Sequence, residues 1–249
     1  MRRFCLSILA LLILPAAAAN AATIVAPNGY ETTEGNDGNS FPFNNFTGRY
    51  QQAYASSELP SGLLSITEIA FRTDTDPAAE AWLSEMSFSI HLSTSANPVG
   101  SLSTTFADNL SADDALVFTA SAQFFSGTNA GGPGPNAFDL IFILDTPFTY
   151  DTANGDLLMD VFMGTNTNLL PAASFSYLDA VESTTGFLDD VGLQRVWNGG
   201  GNVNALAGST DPHGFGLVTR FTYDVVPEPS TGLLVIAGLL GLAARRRHV

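Results

Sequence analysis

Few residues in this sequence have side chains suited to acid–base or nucleophilic catalysis. Two of the three histidines, His91 and His213, precede the closing residues of the 249-residue chain. Serine and aspartate are frequent, so a Ser–His–Asp site is a hypothesis, but no G-x-S-x-G stretch is present to expose a nucleophilic serine. His91 alternates with serines, and His213 lies in the turn-like stretch DPHG. Both are predicted to be surface or loop residues, and no catalytic residue is assigned.

Two other groups of residues could act on carbohydrate or bind it. Adjacent aspartates at residues 113–114 and 189–190 resemble the acids of a glycosidase. Neighbouring residues of a strand point to opposite faces, however, so neither pair forms a facing dyad by itself. Trp82, Trp197 and Tyr54 offer rings that could stack on sugars, although a place in the core explains each of them equally well.

Metal-binding chemistry would have to rely on oxygen ligands. The single cysteine is Cys5, the chain has no HExxH motif, and two separated histidines make a poor zinc site. Acidic loops at residues 34–39, 74–76 and 151–156 carry the carboxylates and carbonyls that calcium prefers. No cofactor and no metal ligand are therefore predicted, and one bound Ca²⁺ ion is the alternative hypothesis.

The elements that would position these residues are predicted to be β-strands. Apolar and polar side chains alternate through residues 86–93, which is typical of a strand with one buried and one polar face. Residues 138–144 are apolar on both faces, as in a central strand. Further strands are predicted at residues 63–72, 115–121, 156–163, 193–198 and 216–225.

Turn residues separate these strands, and helical periodicity is nearly absent. Clusters of Gly, Asn, Asp and Pro punctuate the chain, most densely at residues 127–136. A short helical turn is expected at residues 77–83, and the polar stretch 22–40 is expected to be loosely ordered. The pattern predicts an all-β ectodomain over residues 22–225, a β-sandwich or jelly roll.

The charge distribution excludes one class of partner. Residues 22–228 contain 24 acidic residues and four arginines, a formal charge of −20, and the chain has no lysine. Nucleic acid is bound through clustered cations that displace counterions from phosphates. A nucleic-acid partner is therefore excluded.

The N-terminus has the three parts of a secretory signal peptide. Arg2 and Arg3 are followed by an apolar run and by the small residues Ala19 and Ala21. We predict that residues 1–21 are removed by signal peptidase, so that the mature chain begins at Ala22. The protein would then be exported by the cell's export machinery without any cysteine for a disulfide.

The C-terminus carries a second targeting pattern. Pro227, Glu228 and Pro229 precede an uncharged run at residues 231–244, and Arg245, Arg246 and Arg247 follow it. As a helix this run spans about 21 Å, which is short against a hydrocarbon core of about 30 Å. The arginines would stop translocation and remain cytoplasmic, whereas the prolines keep their segment extended outside the membrane.

This arrangement closely resembles the PEP-CTERM sorting signal of Gram-negative bacteria, and residues 226–249 match it in order and position. The resemblance implies recognition of Pro227, Glu228 and Pro229 by an exosortase, an integral-membrane cysteine protease or transpeptidase. It also implies an inner-membrane-anchored precursor, held by a short transmembrane helix, that later reaches the cell surface or the extracellular matrix. An ordinary C-terminal anchor with a proline-rich hinge is the alternative.

Two functions of different classes remain. The first is a non-enzymatic surface or exopolysaccharide-matrix protein, and the second is a lectin-like module that binds extracellular polysaccharide. A secreted glycosidase is a third hypothesis. Exposed aromatic rings on one concave face would favour the lectin-like module, whereas a uniformly polar, acidic surface would favour the first function.

Overall fold

The computed structural model describes residues 21–44, 46–75, 81–129, 132–169, 177–187 and 189–226. The predicted signal peptide, apart from Ala21, and the sorting signal from Pro227 onwards lie outside the described residues. The same holds for the first part of the predicted helical turn at residues 77–83, whereas residues 81–83 belong to a strand.

The described residues are almost entirely β-structure, as the sequence predicts. They contain no α-helix, and three short 3-10 turns are the helical segments present in the described ranges. The strands are β1 (Ala22–Ala26), β2 (Asp37–Asn39), β3 (Gly48–Tyr54), β4 (Leu63–Phe71), β5 (Ala81–Thr94), β6 (Ala115–Thr128), β7 (Leu140–Asp151), β8 (Leu157–Asn168), β9 (Leu178–Glu182), β10 (Leu193–Asn198), β11 (Ser209–Thr210), β12 (Phe215–Leu217) and β13 (Thr219–Val225).

The strands form three antiparallel sheets. A four-stranded sheet has the order β1-β13-β4-β7, and a six-stranded sheet has the order β11-β10-β3-β8-β5-β6. A smaller sheet has the order β12-β9-β2. Most neighbours are distant in sequence, so the register of each sheet depends on long-range pairing.

The alternation in β5 places its two faces as predicted. Met86, Phe88, Ile90 and Leu92 are buried, whereas the polar residues between them, including His91, are only half-buried. Burial of each large apolar side chain contributes roughly 1.5–3 kcal/mol. A shift of this strand by one residue would turn that face to solvent, so the pattern fixes the register.

The four-stranded and six-stranded sheets contribute to one hydrophobic core. Phe142 of β7 lies 5.1 Å from Phe88 of β5 and 5.3 Å from Phe118 of β6, measured between ring centroids. Phe43, which precedes β3, packs 5.1 Å from the same ring. Such tilted and edge-on ring pairs add about 0.5–1.5 kcal/mol each beyond area burial.

The expected central strand at residues 138–144 is in fact an edge strand. β7 lies at one end of the four-stranded sheet, and Ile141 and Ile143 on its outer face are 40% and 71% exposed. A two-faced apolar pattern is typical of a strand covered on both sides. Here nothing in the described residues covers the outer face, and the prediction was wrong on this point.

Residues 22–40, which were expected to be loosely ordered, contribute two strands. Ala22 of β1 pairs with Tyr223, and Asn39 of β2 pairs with Leu178. Both partners lie more than 100 residues away, so the ordering comes from tertiary pairing that local composition does not reveal.

A second, smaller core lies on the opposite face of the six-stranded sheet. Leu158 of β8 and Val196 of β10 pack there against Leu102, Phe106 and Ala205. The last three come from the connections before β6 and after β10, which fold over this part of the sheet. The outer face above β8, β5 and β6 carries polar residues instead. A groove lies there, beside the connection after β10.

Candidate functional site

The chain is held in the four-stranded sheet up to the last residue described. Val225 of β13 pairs with Leu64, and the N–H of Val226 donates to the carbonyl of Leu63 at 2.9 Å. Pro227, Glu228 and Pro229 follow immediately. These residues and Arg245, Arg246 and Arg247 lie outside the described residues. Within the described ranges, no helix has the length and apolarity needed to cross a membrane.

Both ends of the predicted mature domain lie at the same end of two neighbouring strands of this sheet, β1 and β13. β1 begins at Ala22, and Ala22 pairs with Tyr223 near the C-terminal end of β13. Ala21 directly precedes this strand, and Ala19 lies outside the described residues. The predicted cleavage by signal peptidase would therefore leave no loose N-terminal segment.

The two histidines occupy separate places, each beside one acid. Nδ1 of His91 lies 3.2 Å from Oδ2 of Asp114, and Nε2 of His213 contacts the carboxylate of Glu182. Among the described residues, no serine hydrogen-bonds to either histidine. The arrangement does not assemble the hypothetical Ser–His–Asp site.

The adjacent aspartates do not form facing dyads. Asp113 accepts hydrogen bonds from the N–H and the hydroxyl of Thr94, at 3.0 and 2.7 Å, whereas Asp114 contacts His91. Asp190 accepts a hydrogen bond from the Ser183 hydroxyl at 2.7 Å. These carboxylates therefore fix local turns and strand ends.

A groove of about 470 Å³ lies on the outer face of the six-stranded sheet. Strands β8, β5 and β6 form its floor, and Val203 and Asn204 of the β10–β11 connection form one wall. The polar side of β5 faces this groove. The other residues that line it are Ser87, Phe88, Ser89, His91, Thr119, Ala120, Ser121, Phe162 and Gly164.

Phe162 is the half-buried aromatic ring of the groove, and its neighbours hold it in place. The Arg49 guanidinium lies 4.4 Å from the ring centroid, and the His91 ring lies 5.2 Å away. Arg49 in turn donates to both oxygens of Asp160, at 3.0 and 2.6 Å. The ring therefore rests on a buried ion pair.

Sequence reasoning selected different aromatic residues. Tyr54 and Trp82 are buried in the core, and Trp197 is half-buried and stacked on Phe41 at 5.1 Å. Phe162 was missed because an apolar residue in an apolar strand resembles a core residue. The available signal was that Phe162 shares one face of β8 with Asp160 and Gly164.

A cluster of carboxylates joins two of the three acidic loops considered for calcium. The carboxylate oxygens of Glu34, Asp74 and Asp179 lie within 4.8 Å of one another. Asp179 comes from β9, and sequence reasoning did not include it because it lies outside the acidic loops. Among the described residues, this group has the spacing needed to share a cation.

The third acidic loop is used locally. Asp151 accepts from the N–H of Ala153, and Asp156 accepts from the N–H groups of Ser56 and Val99, each at 2.8–3.0 Å. These carboxylates close turns and tie connections together.

One cation lies beside the carboxylate cluster. Nε of the fully buried Arg72 donates to Oδ2 of Asp179 at 2.6 Å. Burial nevertheless raises the pKa of Asp179 to about 7 against the effect of Arg72, and the Glu34 charge raises it further. Burial also raises the pKa of Asp74 to about 6, with Glu34 and Asp37 adding to the effect.

The comparisons with known proteins identify the C-terminal signal. The family model of the PEP-CTERM protein-sorting motif matches residues 225–247. No curated protein and no solved structure matches the chain. The chain therefore carries a PEP-CTERM motif, and this motif implies an exported protein that an exosortase processes at the membrane.

Proposed function

We propose that the protein is a non-enzymatic component of the cell surface or of the exopolysaccharide matrix, released from its membrane precursor by an exosortase. The sorting motif is the observation that carries this proposal. Its position adds support, because Pro227 follows directly on Val226, the last described residue, which is hydrogen-bonded to the sheet. Removal of the tail would then leave a complete folded domain.

The domain itself supports a structural or binding role. Its four-stranded and six-stranded sheets share one core, from which we infer a β-sandwich. The histidines are each engaged with an acid, and the adjacent aspartates close local structure. No serine among the described residues hydrogen-bonds to either histidine, and we infer that the domain has a structural or binding role without catalysis.

The sorting step can be tested by replacing Pro227, Glu228 and Pro229 together with alanine. In a host with an exosortase, the variant should accumulate as an uncleaved inner-membrane form, because the recognised extended segment is lost. The wild type should lose its tail and move outward, and deletion of the exosortase should reproduce the variant. Alanine at the exposed residues 31–33 is the matched control and should leave sorting unchanged.

Mass spectrometry of both termini decides the outcome. The mature chain should begin at Ala22, and the surface form should lack Arg245, Arg246 and Arg247. If the wild-type surface protein retains these arginines, the tail is a permanent anchor and the proposed sorting is wrong.

The second candidate function is a lectin-like module for extracellular polysaccharide. The groove above β8, β5 and β6 favours it, because a half-buried ring and several hydroxyl groups share one concave surface there. A screen of the protein against immobilised glycans tests this function, and binding to no glycan would exclude it.

A further inference from the structure

The groove has polar groups in a regular geometric array. Thr119 of β6, Ser89 of β5 and Phe162 of β8 stand directly opposite one another across the three strands. Cβ atoms of directly opposite residues lie about 4.5–5.5 Å apart in antiparallel sheets. Two hydroxyl groups and an aromatic ring therefore form one row across the floor, with further hydroxyl groups at Ser87 and Ser121.

His91 extends this row of hydrogen-bonding groups. An ionised Asp114 carboxylate only accepts hydrogen bonds, so Nδ1 of His91 carries the proton shared between them. Nε2, on the other side of the ring, has no hydrogen-bond partner among the described residues. A ligand hydroxyl suits this position because it can donate or accept a hydrogen bond.

The aromatic ring is preorganised for stacking. The Arg49 guanidinium, which is paired with Asp160, packs against the Phe162 ring and holds it in place. The ring itself is half-buried. A fixed ring loses little conformational freedom when a ligand binds, so more of the contact energy appears as affinity. The electron-rich face of the ring suits the weakly polarised C–H groups on the flat side of a sugar.

The electrostatics of the groove favour neutral over anionic ligands. None of the residues that line it carries a fixed charge, although residues 22–228 have a formal charge of −20. The surrounding field repels polyanions, and no lining cation is present to compensate a uronate or a phosphate. A neutral ligand avoids this repulsion.

From these features we propose that the groove binds a neutral polysaccharide chain, with Phe162 stacking on a sugar ring and the hydroxyl groups of β5 and β6 bonding to it. The volume of about 470 Å³ lies within the range of roughly 300–1,000 Å³ typical of ligand sites. This inference rests on the second proposed function, and it adds the site and the ligand class.

The test uses the full-length protein in detergent micelles, immobilised for biolayer interferometry. The probes are three soluble neutral polysaccharides, dextran, laminarin and galactomannan, with alginate as the anionic comparison. We expect the wild type to bind at least one neutral probe and to bind alginate at least tenfold more weakly.

Two substitutions locate the site. Phe162→Ala removes the stacking ring and should weaken binding at least tenfold. Ser121→Arg places a long side chain in the groove and should weaken binding by a similar factor. Because residue 121 is exposed, this variant should keep the native fold. Phe124→Ala and Ser126→Arg change exposed residues of β6 outside the lining and should bind as the wild type does.

The outcomes are separable. Binding to none of the neutral probes overturns the inference, and the glycan screen then decides the lectin-like function by itself. Binding of a neutral probe that Ser121→Arg leaves unchanged places the site elsewhere and overturns the groove alone. Preference for alginate overturns the ligand class. Circular dichroism identifies a variant that fails to fold, and if Phe162→Ala does so, Ser121→Arg decides the question.

Discussion

The two buried arginine–aspartate pairs differ in their surroundings more than in their own geometry. Arg49–Asp160 and Arg72–Asp179 both have an N–O distance of 2.6 Å. Asp160 also receives a hydrogen bond from Gln51 at 2.8 Å. Asp179 likewise accepts from the N–H of Gly35 at 2.8 Å, but its arginine, Arg72, lies beside a cluster of three carboxylates.

The two sites therefore differ in how much negative charge one arginine must balance. Arg49 pairs with one carboxylate, whereas Arg72 lies beside three, and we call Glu34, Asp74 and Asp179 the charge-deficient cluster. Burial raises the pKa of both aspartates. Hydrogen bonds from Arg49 and Gln51 oppose the shift at Asp160, as those from Arg72 and Gly35 do at Asp179. The Glu34 charge adds to the shift at Asp179. The first pair supports the groove, whereas the second belongs to a cluster in which two carboxyl groups, Asp74 and Asp179, have pKa values well above the ordinary range.

Removal of the arginine from the charge-deficient cluster should have the largest effect. We expect Arg72→Met to lower the free energy of unfolding by roughly 3–5 kcal/mol at pH 8, because it leaves buried carboxylates without a cation. Urea denaturation measures the loss, which should shrink at pH 5 as the carboxylates take up protons. Arg220→Met breaks a partly exposed pair with Glu68 and is the control, with an expected loss of about 1 kcal/mol or less. Equal losses in the two variants would contradict the comparison.

Removal of the other arginine should have a smaller and more local effect. Arg49→Met should cost roughly 3 kcal/mol. It also removes the contacts with the Phe106 and Phe162 rings, at 4.8 and 4.4 Å. Hydrogen exchange should therefore accelerate in residues 199–208, which fold over this pair. Exchange that accelerates equally in the four-stranded sheet would show that the pair has no particular role at the groove.

The pH dependence of stability should follow the charge-deficient cluster. The pKa values of Asp74 and Asp179, about 6 and 7, lie above the ordinary value of 3.8. The folded state therefore holds more protons than the unfolded state in this window, so stability falls as the pH rises from 5 to 8. With the half-exposed Asp74 given little weight, the fall is on the order of 1–2 kcal/mol.

Thermal melts between pH 5 and 8 measure this fall, and highest stability at pH 8 would refute it. Calcium added at pH 8 tests the alternative hypothesis taken from the acidic loops. A bound ion would raise the melting temperature there and have little effect at pH 5. An unchanged melting temperature at pH 8 would eliminate that hypothesis.

The smallest expected effect comes from neutralising one acid of the cluster. Oε1 of Glu34 accepts from the N–H of Thr75 at 2.9 Å, whereas Oε2 is buried without a hydrogen-bond partner among the described residues. Glu34→Gln should stabilise the protein by about 1 kcal/mol at pH 7.5, because it removes repulsion and supplies a donor. It should also flatten the pH dependence. The exposed Glu31→Gln should have no measurable effect, and a destabilised Glu34→Gln would contradict this account.

Local sequence patterns predicted part of the fold for a physical reason. The alternation in β5 reflects which side chains must leave water, and this requirement acts along the strand itself. The position of β7 at a sheet edge could not be inferred, because strand order depends on pairing between distant segments. Phe162 shows the same limit, since sharing a face of β8 with Asp160 and Gly164 indicates the outer side of the sheet but not the groove that distant segments form there.

The sequence by itself determined the export and sorting of this protein, because a linear segment is recognised as a peptide. Pro227, Glu228 and Pro229, the apolar run and the arginines are adjacent in the chain, so their order is sufficient to define the motif. Only the tertiary structure decided which residues meet in the ectodomain. The groove joins three strands and a distant connection, and the carboxylate cluster joins Glu34 to Asp179 across more than 140 residues. Such contacts arise from the burial of many apolar side chains at once, which no short stretch of sequence encodes.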